Sequence, residues 1–85
     1  MSITIYVANL PKHIKEQQIQ ALFSPYGDVH SVKLINDIDT GEPLGYGFIE
    51  MDNNAGNQAI QALSGKEFEG QSLQVNQARG RSTDR

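Results

Sequence analysis

Four stretches of the 85-residue chain alternate apolar and polar positions with a period of two, and two recur with a helical period. Ile3-Thr4-Ile5-Tyr6-Val7-Ala8 is rich in β-formers and predicts a strand, with Ile3, Ile5 and Val7 inward and Tyr6 outward. Ile14, Ile19, Leu22 and Phe23 then share one helical face, which predicts a helix from about Lys15 to Ser24, closed by Pro25-Tyr26-Gly27. Phe23 and Tyr26 sit at that helix end, where apolar cover is needed, and are expected beneath the sheet. Val29 to Ile35 alternates again, with Val32 and Leu34 inward and Ser31, Lys33 and Ile35 outward. Asn36 to Pro43 is rich in Asn, Asp, Gly and Pro and reads as a loop. After a third strand, Asp52 or Asn53 is placed to cap a helix with Ala55, Ala59, Ile60 and Leu63 on one face, ending at Ser64-Gly65. Gly56 in that helix costs roughly 1 kcal/mol relative to Ala; small residues there suggest close approach to a sheet. Glu67 to Gln71 forms a tight turn with Phe68 at the core edge, and Ser72 to Asn76 is the last strand, with Leu73 and Val75 inward and Gln74 and Asn76 outward.

The third strand breaks the usual rule. In Leu44-Gly45-Tyr46-Gly47-Phe48-Ile49-Glu50-Met51, Ile49 and Met51 suit a core. Two rings, Tyr46 and Phe48, nevertheless fall on the opposite face with Leu44 and Glu50. Alternate side chains on a strand lie roughly 7 Å apart, about one nucleotide step in an extended single strand. Gly45 and Gly47 are expected to leave room behind the rings for a close-packed helix.

The octamer resembles the longer signature of the RNA recognition motif family, basic-Gly-aromatic-Gly/Ala-Phe-Val-x-aromatic. It departs at Leu44, where the pattern is basic, and at Met51, where it is aromatic. The first departure lies on the outward face and removes a phosphate partner; the second lies on the core side. Ile5-Tyr6-Val7-Ala8-Asn9-Leu10 is similar to the shorter signature of the same family, and Asp37-Ile38-Asp39-Thr40-Gly41 to its loop between strands two and three. The positions after that Gly are basic in many members, whereas here they are Glu42, Pro43 and Leu44. Among family members the chain looks most like the small single-domain RNA-binding proteins of bacteria.

The order β-α-β-β-α-β is that of the split βαβ, ferredoxin-like α+β fold: a four-stranded antiparallel sheet with two helices on one face. The resemblance implies strand order 4-1-3-2 and a domain over residues 1–79; residues 80–85 lack apolar content and are expected to be a disordered basic tail. The resemblance also implies that Tyr6, Tyr46 and Phe48 form one platform for unpaired bases. Lys33, Gln74, Asn76 and Arg79 would hydrogen-bond base edges or phosphate. The expected partner is short single-stranded RNA, and flat stacking accepts single-stranded DNA as well. A protein partner on the helical face is a further expectation.

Composition alters this picture in one respect. The net charge is −3, unusual for a nucleic-acid binder. Residues 1–78 carry four lysines against nine carboxylates, a net of −5, and residues 79–85 carry three arginines against one aspartate, a net of +2. Stacking is worth roughly 1–3 kcal/mol per base, so three rings offer about 3–9. A micromolar complex needs about 8. With few cations, micromolar or weaker affinity and a shallow salt dependence are expected.

The alternative is a protein–protein interaction module on the same fold with little or no RNA binding, which the acidic body and Leu44 favour and the retained rings oppose. An enzyme is not expected. Acylphosphatases share the topology but resemble this chain poorly after strand one, where Asn9-Leu10-Pro11-Lys12-His13 offers neither an Arg nor a Gly cluster. His13 and His30 lack a metal-pair spacing, no Ser-His-acid grouping is suggested, and Gly45-Tyr46-Gly47 lacks the third glycine of a dinucleotide loop. No cofactor or metal is expected. Without cysteine there is neither a disulfide nor a thiolate site. No apolar run reaches membrane-spanning length, and a cytoplasmic setting is the expectation.

Overall fold

The computed structural model describes residues 2–78. Strand β1 (Ser2–Ala8) is followed by helix α1 (Glu16–Phe23) and a single 3-10 turn (Ser24–Tyr26). Strands β2 (Val29–Asn36) and β3 (Pro43–Asp52) lead into helix α2 (Asn53–Leu63), and β4 (Glu67–Phe68), β5 (Gln71–Ser72) and β6 (Gln74–Gln77) complete the order. The main sheet runs β2-β3-β1-β6, with every pairing antiparallel. This is the expected ferredoxin-like arrangement. The two sequence-distant signature strands, β1 and β3, are its central neighbours.

One face of the sheet carries the core. Ile5 and Val7 of β1, Ile49 and Met51 of β3, and Val75 of β6 are fully buried with Ile19 and Phe23 of α1 and Ala59 and Leu63 of α2. Each such large side chain contributes about 1.5–3 kcal/mol by leaving water. Tyr26 and Phe68 pack against the edge of this cluster, as their positions in the sequence suggest. The α1 N-terminus is held by the Lys15 backbone N–H, which donates to Gln18 Oε1 at 2.9 Å, half of a reciprocal cap.

Three local details differ from the sequence expectation. First, Gly45 and Gly47 do not make room for a helix. A Cβ on Gly47 would lie 2.5 Å from the Lys33 carbonyl oxygen and 3.0 Å from Leu34 Cδ2, both in β2. Gly45 has φ +89° and lies beside the Leu10 carbonyl. Gly47 lets β2, which carries register irregularities at Val29/Ser31 and Leu34/Asn36, close on β3. The close helix–sheet approach is made at Gly56 instead, where a Cβ would meet Ile3 Cδ1 at 2.6 Å. Second, Asp52 occupies the α2 cap position without a side-chain capping bond; its carboxylate is taken by His30 at 3.1 Å. Third, the last strand is divided. Gln71–Ser72 pairs with Glu67–Phe68 in a two-stranded ribbon, and β6 begins only at Gln74. Between them Leu73 is buried, its backbone N–H donating to the Lys66 carbonyl and its carbonyl accepting from Gly65. The expected tail, residues 80–85, lies outside the described residues, as does Arg79.

Candidate nucleic-acid interface

Strand alternation turns the even-numbered side chains of β1, β3 and β6 away from the helices. Register then decides which of them meet. Tyr6 is directly opposite Phe48 on one side and Asn76 on the other, and Phe48 is opposite Lys33. Lys33, Phe48, Tyr6 and Asn76 therefore form one row across all four strands, about 14 Å long at the usual strand spacing. The next row holds Tyr46, Ala8 and Gln74. On the other side lies a row of Ser31, Glu50 and Thr4, which the Ala78 backbone N–H joins by donating to the Thr4 carbonyl at 2.8 Å.

Of the expected site residues, Tyr6, Tyr46, Phe48, Lys33, Gln74 and Asn76 thus share one face, and Arg79 lies outside the described residues. The three rings touch. Ring centroids are 5.7 Å apart for Tyr6 and Phe48, 5.9 Å for Tyr6 and Tyr46, and 6.2 Å for Tyr46 and Phe48. The planes are tilted by 50°, 45° and 90°, the offset and edge-on geometry that aromatic quadrupoles favour. Each ring braces the other two, and each remains only half-buried. The platform is three inclined surfaces rather than one flat plane.

Two depressions flank the rings, and Tyr6 borders both. One, of about 300 Å³, lies among Tyr6, Phe48, Asn76, Gln77 and Ala78. The other, of about 410 Å³, lies between Tyr6, Tyr46 and Leu44 on one side and Asn9, Lys12 and Gln71 on the other. Reading the sequence singled out neither Gln77, Lys12 nor Gln71 for this face. Lys12 arrives on the β1–α1 loop and Gln71 on the β4–β5 hairpin, while Gln77 ends β6 off the alternation that the rings share. A larger depression of about 650 Å³, near Tyr26 and the start of α2, is lined by polar side chains and lies on the helical side. It has one aromatic wall and no cation, and offers nothing to stack a base between.

The second depression has a braced rim. Asn9, at φ +62°, donates from Nδ2 to the Ser72 carbonyl at 2.7 Å. Gln71 Nε2 donates back to the Asn9 carbonyl at 3.0 Å and to Asn9 Oδ1 at 3.3 Å. His13 pairs with Glu69 at 2.5 Å across the same gap. The β1–α1 loop and the β4–β5 hairpin are thereby clipped together. Leu10 N–H donates to the Gly45 carbonyl at 2.9 Å, which ties this rim to the start of β3.

The electrostatics are sparse. Lys33 is the cation of the aromatic row, and Glu50, whose Oε2 accepts from Ser2 Oγ at 3.0 Å, puts a carboxylate one step along β3 from Phe48. Leu44 is half-exposed and apolar. The face offers rings and side-chain amides, with few cations among them.

Known proteins share this architecture. The profile described as RNA recognition motif matches residues 5–74. RbpD of the cyanobacterium Nostoc sp., named as a candidate RNA-binding protein, is 42% identical over 84 residues, covering 98% of this chain and 89% of its own. RbpA of Nostoc sp., named likewise, is 42% identical over 80 residues, covering 93% of this chain and 78% of its own. Among solved structures, the crystal structure of RNA binding protein PG1 superposes with a TM-score of 0.89 at 39% identity, covering 95% of this chain and 99% of its own. The Rna15 RRM with bound RNA (GU) superposes with a TM-score of 0.82 at 28% identity, covering 94% and 86%. With both signature strands adjacent, the rings gathered on the helix-free face and the profile spanning most of the sequence, the chain belongs to the RNA recognition motif family.

Proposed function

We propose that the protein binds short single-stranded RNA on the open face of its sheet, with bases laid against Tyr6 and Phe48 and a base or ribose against Tyr46. The observation that carries this reading is the contact of three half-exposed rings, drawn from strands about forty positions apart, on the face no helix covers. A cluster of exposed rings does nothing for an isolated globule, and it is suited to unpaired bases. Asn76, in line with Tyr6, and Gln74, in line with Tyr46, are placed to bond base edges; Lys33, beside Phe48, is placed for a phosphate. Relatives named for RNA binding, and one RNA-bound structural neighbour, support the choice of ligand. Stacking alone does not distinguish RNA from single-stranded DNA.

The role is binding rather than catalysis. His13 and His30 are each paired with a single exposed carboxylate. No helix among the described residues is long and apolar enough to cross a membrane, and we infer a cytoplasmic protein that meets its ligand in solution. We further propose a domain over residues 1–79 with a basic tail beyond it; the family profile, matched over residues 5–74, falls inside that span.

Titration of a randomised short RNA pool, followed by backbone amide shifts, tests the proposal. Micromolar binding is expected, with shifts centred on β1 and β3. The Tyr6→Ala/Phe48→Ala double variant should lose about 2–6 kcal/mol of binding while keeping its folded amide spectrum. Undiminished binding by the double variant would reject the platform. Shifts confined to the helical face on addition of a protein partner, with none from RNA, would favour the interaction-module alternative.

A further inference from the structure

Four lysines serve the described body, and they are not distributed alike. Lys15 stands at the start of α1 and Lys66 in the link after α2. Only Lys33 and Lys12 reach the face that carries the rings, from opposite ends. Lys33 stands beside Phe48 on the outer strand. Lys12 lines the depression bordered by Tyr6 and Tyr46.

We propose that the depression between Lys12 and Tyr46 is a further nucleotide subsite, in which Lys12 holds a phosphate and the base or ribose rests against Tyr46 and Leu44. This rests on the RNA-binding reading of the adjoining rings. The chemistry of the walls supports it. Tyr46 and the half-exposed Leu44 supply apolar contact. Gln71 spends its amide N–H on Asn9, which leaves its Oε1 as an acceptor for a base N–H; among the described residues no group donates to it. Lys12 supplies the positive charge. Apolar surface, one directed acceptor and one cation are the complement of a single nucleotide, and about 410 Å³ lies at the lower end of ligand-sized cavities. The site is also pre-organised. The Lys12 backbone is fixed by its neighbours, buried Pro11 and His13, whose ring is paired with Glu69. The Asn9–Ser72 and Gln71–Asn9 bonds fix the opposite wall. Less ordering is therefore needed when a ligand enters.

The same geometry yields a rescue. Leu44 and Lys12 border one depression, so a lysine at position 44 can deliver its ammonium to the phosphate that Lys12 serves.

Fluorescence anisotropy with a random-sequence hexaribonucleotide tests this. Lys12→Ala should weaken binding about eightfold at 50 mM salt and about fourfold at 150 mM, removing about 0.7 from the slope of log K against log salt, the value for one single-strand phosphate. Lys66→Ala, away from the face, should change neither. In the Lys12→Ala background, Leu44→Lys should recover most of the lost slope. If Lys12→Ala binds as the parent does with the same slope, or Leu44→Lys recovers nothing, the subsite is rejected. The Tyr6→Ala/Phe48→Ala variant separates the two levels. When it abolishes binding and Lys12→Ala does not weaken it, the platform stands without the subsite; when it binds undiminished, both fall.

Discussion

Tyr6 has the most connected position on the face. It opposes Phe48 and Asn76 in the sheet, touches Tyr46 and borders both depressions. Tyr6→Ala should therefore weaken RNA binding by more than Tyr46→Ala, with each single change near the 1–3 kcal/mol of one stacked base; isothermal titration of the two variants checks the order. Gly47 matters for a different reason. A methyl group there would press on the Lys33 carbonyl at 2.5 Å, and backbone cannot step aside as a side-chain end can. Gly47→Ala should cost about 1–3 kcal/mol in urea unfolding, as overpacking does. It should also weaken binding by displacing the strand that carries Lys33. The need for small residues near Tyr46 and Phe48 was legible in the sequence, but the reason was not. Pattern alone does not say whether a helix or a neighbouring strand fills the space.

Among the elements, the loop between β2 and β3 holds its own shape. Asp37 Oδ1 accepts from the backbone N–H of Asp39 at 2.7 Å and of Thr40 at 3.1 Å, and Thr40 Oγ1 accepts from Glu42 N–H at 3.2 Å. The bonds from Asp39 and Thr40 hold the Asp37 carboxyl below its ordinary value. A lowered carboxylate contributes order that is present above the unfolded value, about pH 4, and is lost as pH falls below it through the folded value. The Asp39 and Thr40 amide shifts should move together in that acid range, as the two bonds to Asp37 are lost. Asp37→Asn should abolish that titration. The turn-rich composition of residues 36–43 predicts such a loop, since Asp side chains bond their own backbone two residues on. The divided last strand was not predictable in the same way. Leu73 alternates correctly with Val75, yet its backbone is taken by Lys66 and Gly65 at the end of α2, a partner the local sequence does not reveal.

At the scale of the whole molecule, charge decides how binding responds to salt. The body carries −5, and its face offers Lys12 and Lys33. Two phosphates neutralised on a single strand give a slope near −1.4, about a sevenfold loss between 50 and 200 mM salt. A face making six to ten phosphate contacts would lose roughly 10³–10⁵ on a duplex. Titrations across that range check the value, and a variant ending at Ala78 isolates the contribution of the sheet face from that of the arginines beyond it. The sequence by itself determined the first three strands, both helices, the inward and outward sets, and the two aromatic signatures, because side-chain period is a local property of the backbone. Which outward residues meet was decided by the tertiary structure. Antiparallel register set Tyr6 against Phe48, and the folding of one loop onto a hairpin carried Lys12 and Gln71 to the rings. Contacts between segments tens of residues apart are fixed by sheet pairing and packing, and no local pattern encodes them.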